Sequence, residues 1–74
     1  MDKPAEIKKL ADRIKFLRKQ KGYTSSENFA LDHDIHRAQY GRYEKGTDIQ
    51  FTSLLKVAKA FDMTLSEFFS EGFE

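Results

Sequence analysis

Two runs with the apolar spacing of helices lie on either side of Asp32-His33-Asp34, and only that triplet separates them. Aspartate is among the few residues that tolerate a left-handed backbone, so Asp34 can make the tight turn that a glycine makes elsewhere. The run before the turn opens on Thr24 and Glu27, three residues apart as in a capping box. That predicts a helix beginning near Ser25 and carrying Phe29, Ala30 and His33. Ile35 leads into the run after the turn, which stops at Lys45-Gly46, where glycine supplies a natural helix end.

The flanks are helical too. Ile7, Leu10, Ala11, Ile14 and Leu17 recur at three- and four-residue spacing with charges between them. This predicts a helix over 5–21, with Pro4 in its first turn and Gly22 at its end. Residues 53–61 place Leu54, Val57, Ala58 and Phe61 on one face, and Thr64 with Glu67 repeats the capping-box form before Leu65, Phe68 and Phe69. Five helices in 74 residues make an all-α chain. The expectation is one domain over 1–74, with a core at about 7–70 and a short C-terminal tail at 71–74. With no cysteine and no cluster of metal-type ligands, packing must hold it together.

The net charge of +1 hides an asymmetry. Residues 1–22 hold eight Lys or Arg against three acids, and the remaining 52 residues hold five basic and nine acidic side chains. Positive charge gathered in one element suits an anionic partner, nucleic acid above all, although a solvated Lys-rich helix face gives the same count. No apolar run approaches the length that spans a bilayer, and the Met-Asp-Lys-Pro start lacks the apolar stretch of a signal peptide. A soluble cytoplasmic protein is expected, with no membrane association.

The helix after the turn divides by angle. At about 100° per residue, His36, Tyr40 and Tyr43 fall on one side, available to pack against the first and second helices. Arg37, Ala38, Gly41, Arg42 and Lys45 fall on the other, a basic face interrupted by two very small residues. Long cationic chains reach into a groove, and small residues let the backbone approach it. An interior helical glycine costs about 1 kcal/mol and needs a reason, which close docking supplies. Arg37 and Arg42 can each present two parallel donors to guanine, Ala38 can touch a thymine methyl, and Gln39 on the flank can pair with adenine or bond a phosphate.

Over most of residues 10–70 the strings RIKFLRKQKGYT, ENFALDHDIHRAQYGRYEKG and LLKVAKAFDMTLSEFF resemble the XRE family, the phage-repressor and Cro type of helix-turn-helix regulator. The resemblance implies a compact five-helix, lambda-repressor-like domain in which the second and third helices read double-stranded DNA, most simply as a repressor. It implies that Ala30 lets the second helix cross the third closely, that Ile35, Tyr40 and Tyr43 are buried, and that Arg18 and Glu44 form a structural ion pair. Base contacts are expected from Arg37, Ala38, Gln39 and Arg42, and backbone contacts from Thr24, Ser25, Ser26, Gly41, Lys45 and Thr47. The match departs at three places. Ser26 stands where the family commonly has a phosphate-bracing glutamine, Asp34 where glycine is usual, and His36 where a Ser or Thr cap is usual. With Ser26 short, the first-turn amides of the second helix with Thr24 or Ser25 would take over the phosphate contact.

Other chemistries find little support. His33, His36, Asp32 and Asp34 are close in sequence but show no cleft for an enzyme, and two histidines without a further ligand are more often surface or cap residues than a metal site. No cofactor, metal or small-molecule ligand is implied. The stronger rival is a protein-interaction module, such as an antitoxin-like partner protein, because Phe61, Met63, Leu65, Phe68, Phe69 and Phe73 make an aromatic C-terminal end. Part of that set must be core. Phe73, beyond Gly72, is the least easily buried, which suggests a homodimer through the last helix and hence a palindromic operator.

Overall fold

The computed structural model describes residues 2–73. Met1 and Glu74, which the expected domain and tail include, lie outside the described residues. Among the described residues the chain forms α1 (Lys3–Gln20), α2 (Ser26–Asp32), α3 (Arg37–Lys45), α4 (Phe51–Ala60) and α5 (Leu65–Phe68), with no strand. This is the all-α, five-helix architecture that the periodicity predicts. α3 packs against both α1 and α2, and α5 against α4.

Most of these helices are too short to persist alone, and how they end decides how they meet. α1, α2, α3 and α4 all stop at a residue in the left-handed region: Gly22 (φ 97°), Asp34 (φ 56°), Gly46 (φ 106°) and Asp62 (φ 57°). At each end the next amide reaches back to the last turn, from Tyr23 to the carbonyl of Arg18, Ile35 to Ala30, Thr47 to Arg42 and Met63 to Ala58. Carbonyls that the helix leaves orphaned are thereby satisfied, and the chain reverses within a few residues. Asp34 does make the turn expected of it, and Asp62 makes the same one between α4 and α5.

Three expectations need correction. The cap of α2 is Ser25, whose hydroxyl accepts from the amide of Asn28 at 3.3 Å, so Thr24 and Glu27 do not close a capping box. Of two adjacent hydroxyl residues, the one whose backbone is extended immediately before the helix takes the cap, and Glu27 is released to solvent. His36 is exposed at the N-cap of α3 rather than packed beside Tyr40, because its backbone has not yet entered the helix. Phe73 folds back against the core with its ring 4.8 Å from Phe69, leaving Phe69 as the more exposed ring at this end. The box at Thr64 and Glu67 forms as predicted, both of its hydrogen bonds being present.

Boundaries moved slightly. α1 starts at Lys3 and α4 at Phe51, earlier than residues 5 and 53, since the amides of Glu6 and Leu54 already bond to the carbonyls of Asp2 and Gln50.

The core is aromatic and centres on Phe29, which has no exposed surface. Its ring stacks on Phe61 at 4.7 Å and meets His33 at 4.3 Å, Tyr40 at 5.2 Å and Tyr23 at 5.2 Å. Ile14, Val57 and Phe68 are also fully enclosed, and Ala30 is fully buried where α2 meets α3. α5 is held to α1 by Arg13, a buried cation that donates from Nε to the carbonyl of Phe68 at 2.7 Å and from Nη2 to that of Glu67 at 3.1 Å. A cation at the carbonyl end of a helix also meets the negative pole of its dipole.

Phe29→Ala removes the ring that four others touch and is expected to cost about 3–5 kcal/mol in urea unfolding. Leu31→Ala, on the same helix but 62% exposed, should stay within about 0.5 kcal/mol of the parent. Similar losses from the two would mean that the aromatic cluster does not carry the core.

Candidate nucleic-acid interface

The geometry of the candidate surface starts from the inner side of α3. Tyr40 and Tyr43 are buried there, and Glu44 lies next to them. The Arg18 guanidinium on α1 donates from Nε to Glu44 Oε2 at 2.8 Å and from Nη2 to Oε1 at 3.0 Å, with the two side chains only 6% and 9% exposed. Its Nη1 donates to the carbonyl of Tyr23 at 3.0 Å, so each of its three nitrogens is engaged inside the fold. The hydrogen bond to Glu44 holds the Arg18 pKa above its ordinary value, outweighing the opposing effect of burial. A role for Arg18 as a free DNA contact competes with these bonds.

Tyr40 sits beside the pair, and its hydroxyl is buried without a hydrogen-bond partner among the described residues. Burial pushes its pKa well above the ordinary 10.0, and the Glu44 carboxylate adds to the rise while Arg18 opposes it.

With the inner side committed, the outer side of α3 is left to solvent. Arg37, Ala38, Gly41, Arg42 and Lys45 line one shallow concave surface together with Ser26 and Glu27 of α2 and Lys15 and Arg18 of α1, and Glu44, held by Arg18, reaches its edge. A Cβ at Gly41 would meet nothing within 4 Å, so no packing among the described residues calls for glycine there. Arg42 and Lys45 make no ion pair among the described residues, whereas Arg37 Nη1 lies 3.6 Å from Glu27 Oε2, both chains exposed. That contact is loose and solvated, worth well under about 1 kcal/mol.

The remaining candidates fall around this surface. Gln39 is exposed but off the concave lining, and Thr47 is exposed just past Gly46, its amide bonded to Arg42. Thr24 is exposed, Ser25 is occupied as the cap of α2, and Ser26 alone of the three lines the surface. Asp32 accepts from the Tyr23 hydroxyl at 2.7 Å and does not line the surface. The same bond raises the Tyr23 pKa. His33 spends Nδ1 on the carbonyl of Phe29 at 2.9 Å, and no group of three or more metal-type ligands occurs among the described residues.

Charge summed along α1 proves a poor guide to charge available. Of the eight basic residues in 1–22, six are paired among the described residues: Lys3 with Asp48, Lys8 with Asp12, Lys9 with Glu6, Arg13 with Glu71, Arg18 with Glu44 and Lys21 with Asp62. Lys15 and Lys19 make no ion pair among the described residues, and of these Lys15 lines the surface. Lys15 is not among the residues that the sequence singles out, although its spacing from Arg18, three residues on the same helix, is a signal that points to it.

A helix-turn-helix family model matches residues 14–68. The chain is 34% identical over 64 residues to a protein of Mycoplasma sp named control protein C.MunI, an overlap covering 85% of this chain and 86% of that one. No solved structure matches the chain.

Two outcomes test the buried centre. Glu44→Ala strands the Arg18 cation and is expected to lower stability by about 3 kcal/mol or more in thermal or urea melts. Tyr40→Phe removes an unsatisfied hydroxyl and should be neutral or stabilising at pH 7. Because folding raises this pKa, the benefit of the neutral phenol is complete below 10.0 and is lost as pH climbs beyond it. Alkaline unfolding should therefore begin at higher pH in Tyr40→Phe than in the parent; an unchanged alkaline limb would refute the assignment.

Proposed function

Because the chain belongs to the helix-turn-helix family, of XRE type, and is thus a sequence-specific DNA-binding regulator of transcription, we propose that it reads the major groove with the outer face of α3 and acts as a repressor. The observation that carries this reading is the composition of that face. Arg42 and Lys45, unpaired among the described residues, share the face with Gly41 and Ala38, so the helix can approach a groove without a bulky side chain at those two positions.

The residues divide by chemistry. Arg42 and Arg37 have the two-donor fork that matches guanine, and Ala38 has a methyl for thymine. Arg37 would exchange its loose contact with Glu27 for a base. Gln39, at the margin, suits a flanking base or a phosphate. Lys45 is a point charge and suits phosphate, Thr24 and Thr47 offer exposed hydroxyls to the backbone, and Ser26 offers a half-buried one. Ser25 would contribute through its main chain, its hydroxyl being used as a cap.

The operator is read as palindromic and the active species as a homodimer, since two recognition helices one DNA turn apart need a symmetric pair. Phe69, 41% exposed at the end of α5, and Phe51 and Leu55 on α4, 61% and 41% exposed, supply apolar surface for it. A regulator of this kind works in the compartment that holds the DNA, here taken as the cytoplasm, and no described helix is long and apolar enough to cross a membrane.

Titration with random-sequence duplex should show binding at about 50 mM salt that weakens steeply as salt rises. Absence of binding at low salt would sink the reading in favour of a protein partner. Arg42→Ala should relax sequence preference by about 1–3 kcal/mol at one base pair, whereas Lys45→Ala should weaken all sequences alike and flatten the salt dependence. Gly41→Ala should separate folding from binding: the free protein gains up to about 1 kcal/mol of helix propensity while duplex affinity falls. A sedimentation profile that stays monomeric at high micromolar concentration, with and without DNA, would remove the dimer.

A further inference from the structure

The pairing pattern of the cations singles out one residue outside the helix-turn-helix itself. Lys15 is exposed on α1, has no acidic partner among the described residues, and opens onto the same concave surface as Arg37, Ala38, Gly41, Arg42 and Lys45. It precedes Arg18 by three residues and so lies on the same side of α1. Since Arg18 grips Glu44 at 2.8 and 3.0 Å, that side of α1 is fixed relative to the recognition helix. We propose that Lys15 is a phosphate anchor contributed by α1, making the first helix part of the DNA-binding surface. This rests on the DNA-reading role of α3 proposed above.

Electrostatics and chemistry agree on phosphate as the ligand. An ammonium on a flexible stem is a point charge without the planar fork that distinguishes one base edge from another, so it adds affinity and orientation with little sequence information. Among the cations of this surface, Arg18 is neutralised by Glu44 and Arg37 lies against Glu27, which leaves Lys15, Arg42 and Lys45 unpaired among the described residues. Arg42 and Lys45 belong to α3 and Lys15 to α1, so the free charge comes from two helices held in fixed relation. Contacts from two elements restrict rotation of the protein about the recognition helix, as a single row of charges along that helix would not.

Lys19 provides the internal control. It too is exposed and unpaired among the described residues, one turn further along α1, but it does not line the surface. Binding of a random-sequence duplex and of duplexes selected from a random pool would be followed by anisotropy from about 50 to 200 mM salt for the parent, Lys15→Ala, Lys15→Arg and Lys19→Ala, with helicity checked by circular dichroism. Lys15→Ala should weaken both kinds of duplex by the same factor and lower the salt slope by about 0.9, so that its affinity drops about threefold less than the parent's over that range. Lys15→Arg should keep the parent slope, and Lys19→Ala should match the parent. A Lys15→Ala slope equal to the parent's, an equal effect from Lys19→Ala, or a changed sequence preference would overturn the proposal. Failure of the parent to bind either duplex would instead remove the reading on which it rests.

Discussion

The bidentate contact between Arg18 and Glu44 is the constraint around which the candidate surface is arranged. It joins α1 to the last turn of α3 across a nearly solvent-free space, and the third nitrogen of Arg18 also ties down the loop at Tyr23. Buried ion pairs often return little net stability, because desolvation offsets much of the attraction. Their value lies in geometry: a planar guanidinium meets a carboxylate in few orientations. Here the result is that the rotation of α3 about its own axis is set from behind, by Tyr40, Tyr43 and Glu44, and the opposite face is presented outward. An acid that would repel phosphate is neutralised in the same contact.

Charge distribution on the folded chain differs in kind from charge distribution along it. α1 reads as a strongly basic element, yet most of its cations are matched by acids brought from elsewhere or from its own neighbouring turns. Arg13 is spent on the carbonyl end of α5. What reaches the candidate surface unpaired among the described residues is a small set, Lys15, Arg42 and Lys45, which shares it with two residues of almost no side chain. A few well-positioned cations beside Gly41 and Ala38 favour close fit over indiscriminate attraction. The exposed Glu27 near Arg37 acts in the same direction, since it opposes loose association with any phosphate chain.

Short helices can hold such a surface because their ends are tightly finished. Left-handed residues at Gly22, Asp34, Gly46 and Asp62 close four helices with the same back-reaching hydrogen bond. The turn between α2 and α3 is therefore rigid enough to let Phe29 from one and Tyr40 from the other meet in a single aromatic cluster. Two of these turns use aspartate, whose short polar side chain tolerates the conformation at some cost.

Local pattern was enough for the sequence to disclose five helices, their order, the apolar faces of α1 and α4, the turn at Asp34 and the outward face of α3. Each depends on spacing or on the conformational limits of single residues, which neighbours along the chain already specify. Tertiary structure decided what depends on groups far apart. It folded Phe73 back onto the core and, among the described residues, matched four of the eight cations of residues 1–22 with acids from distant parts of the chain, whereas the cap at Ser25 and the outward His36 were settled by backbone conformation at the helix starts. It also brought Lys15 to the surface of α3. A charge is withdrawn from the surface when a buried partner holds it, and in this chain the partner of Arg18 is 26 residues away along the sequence.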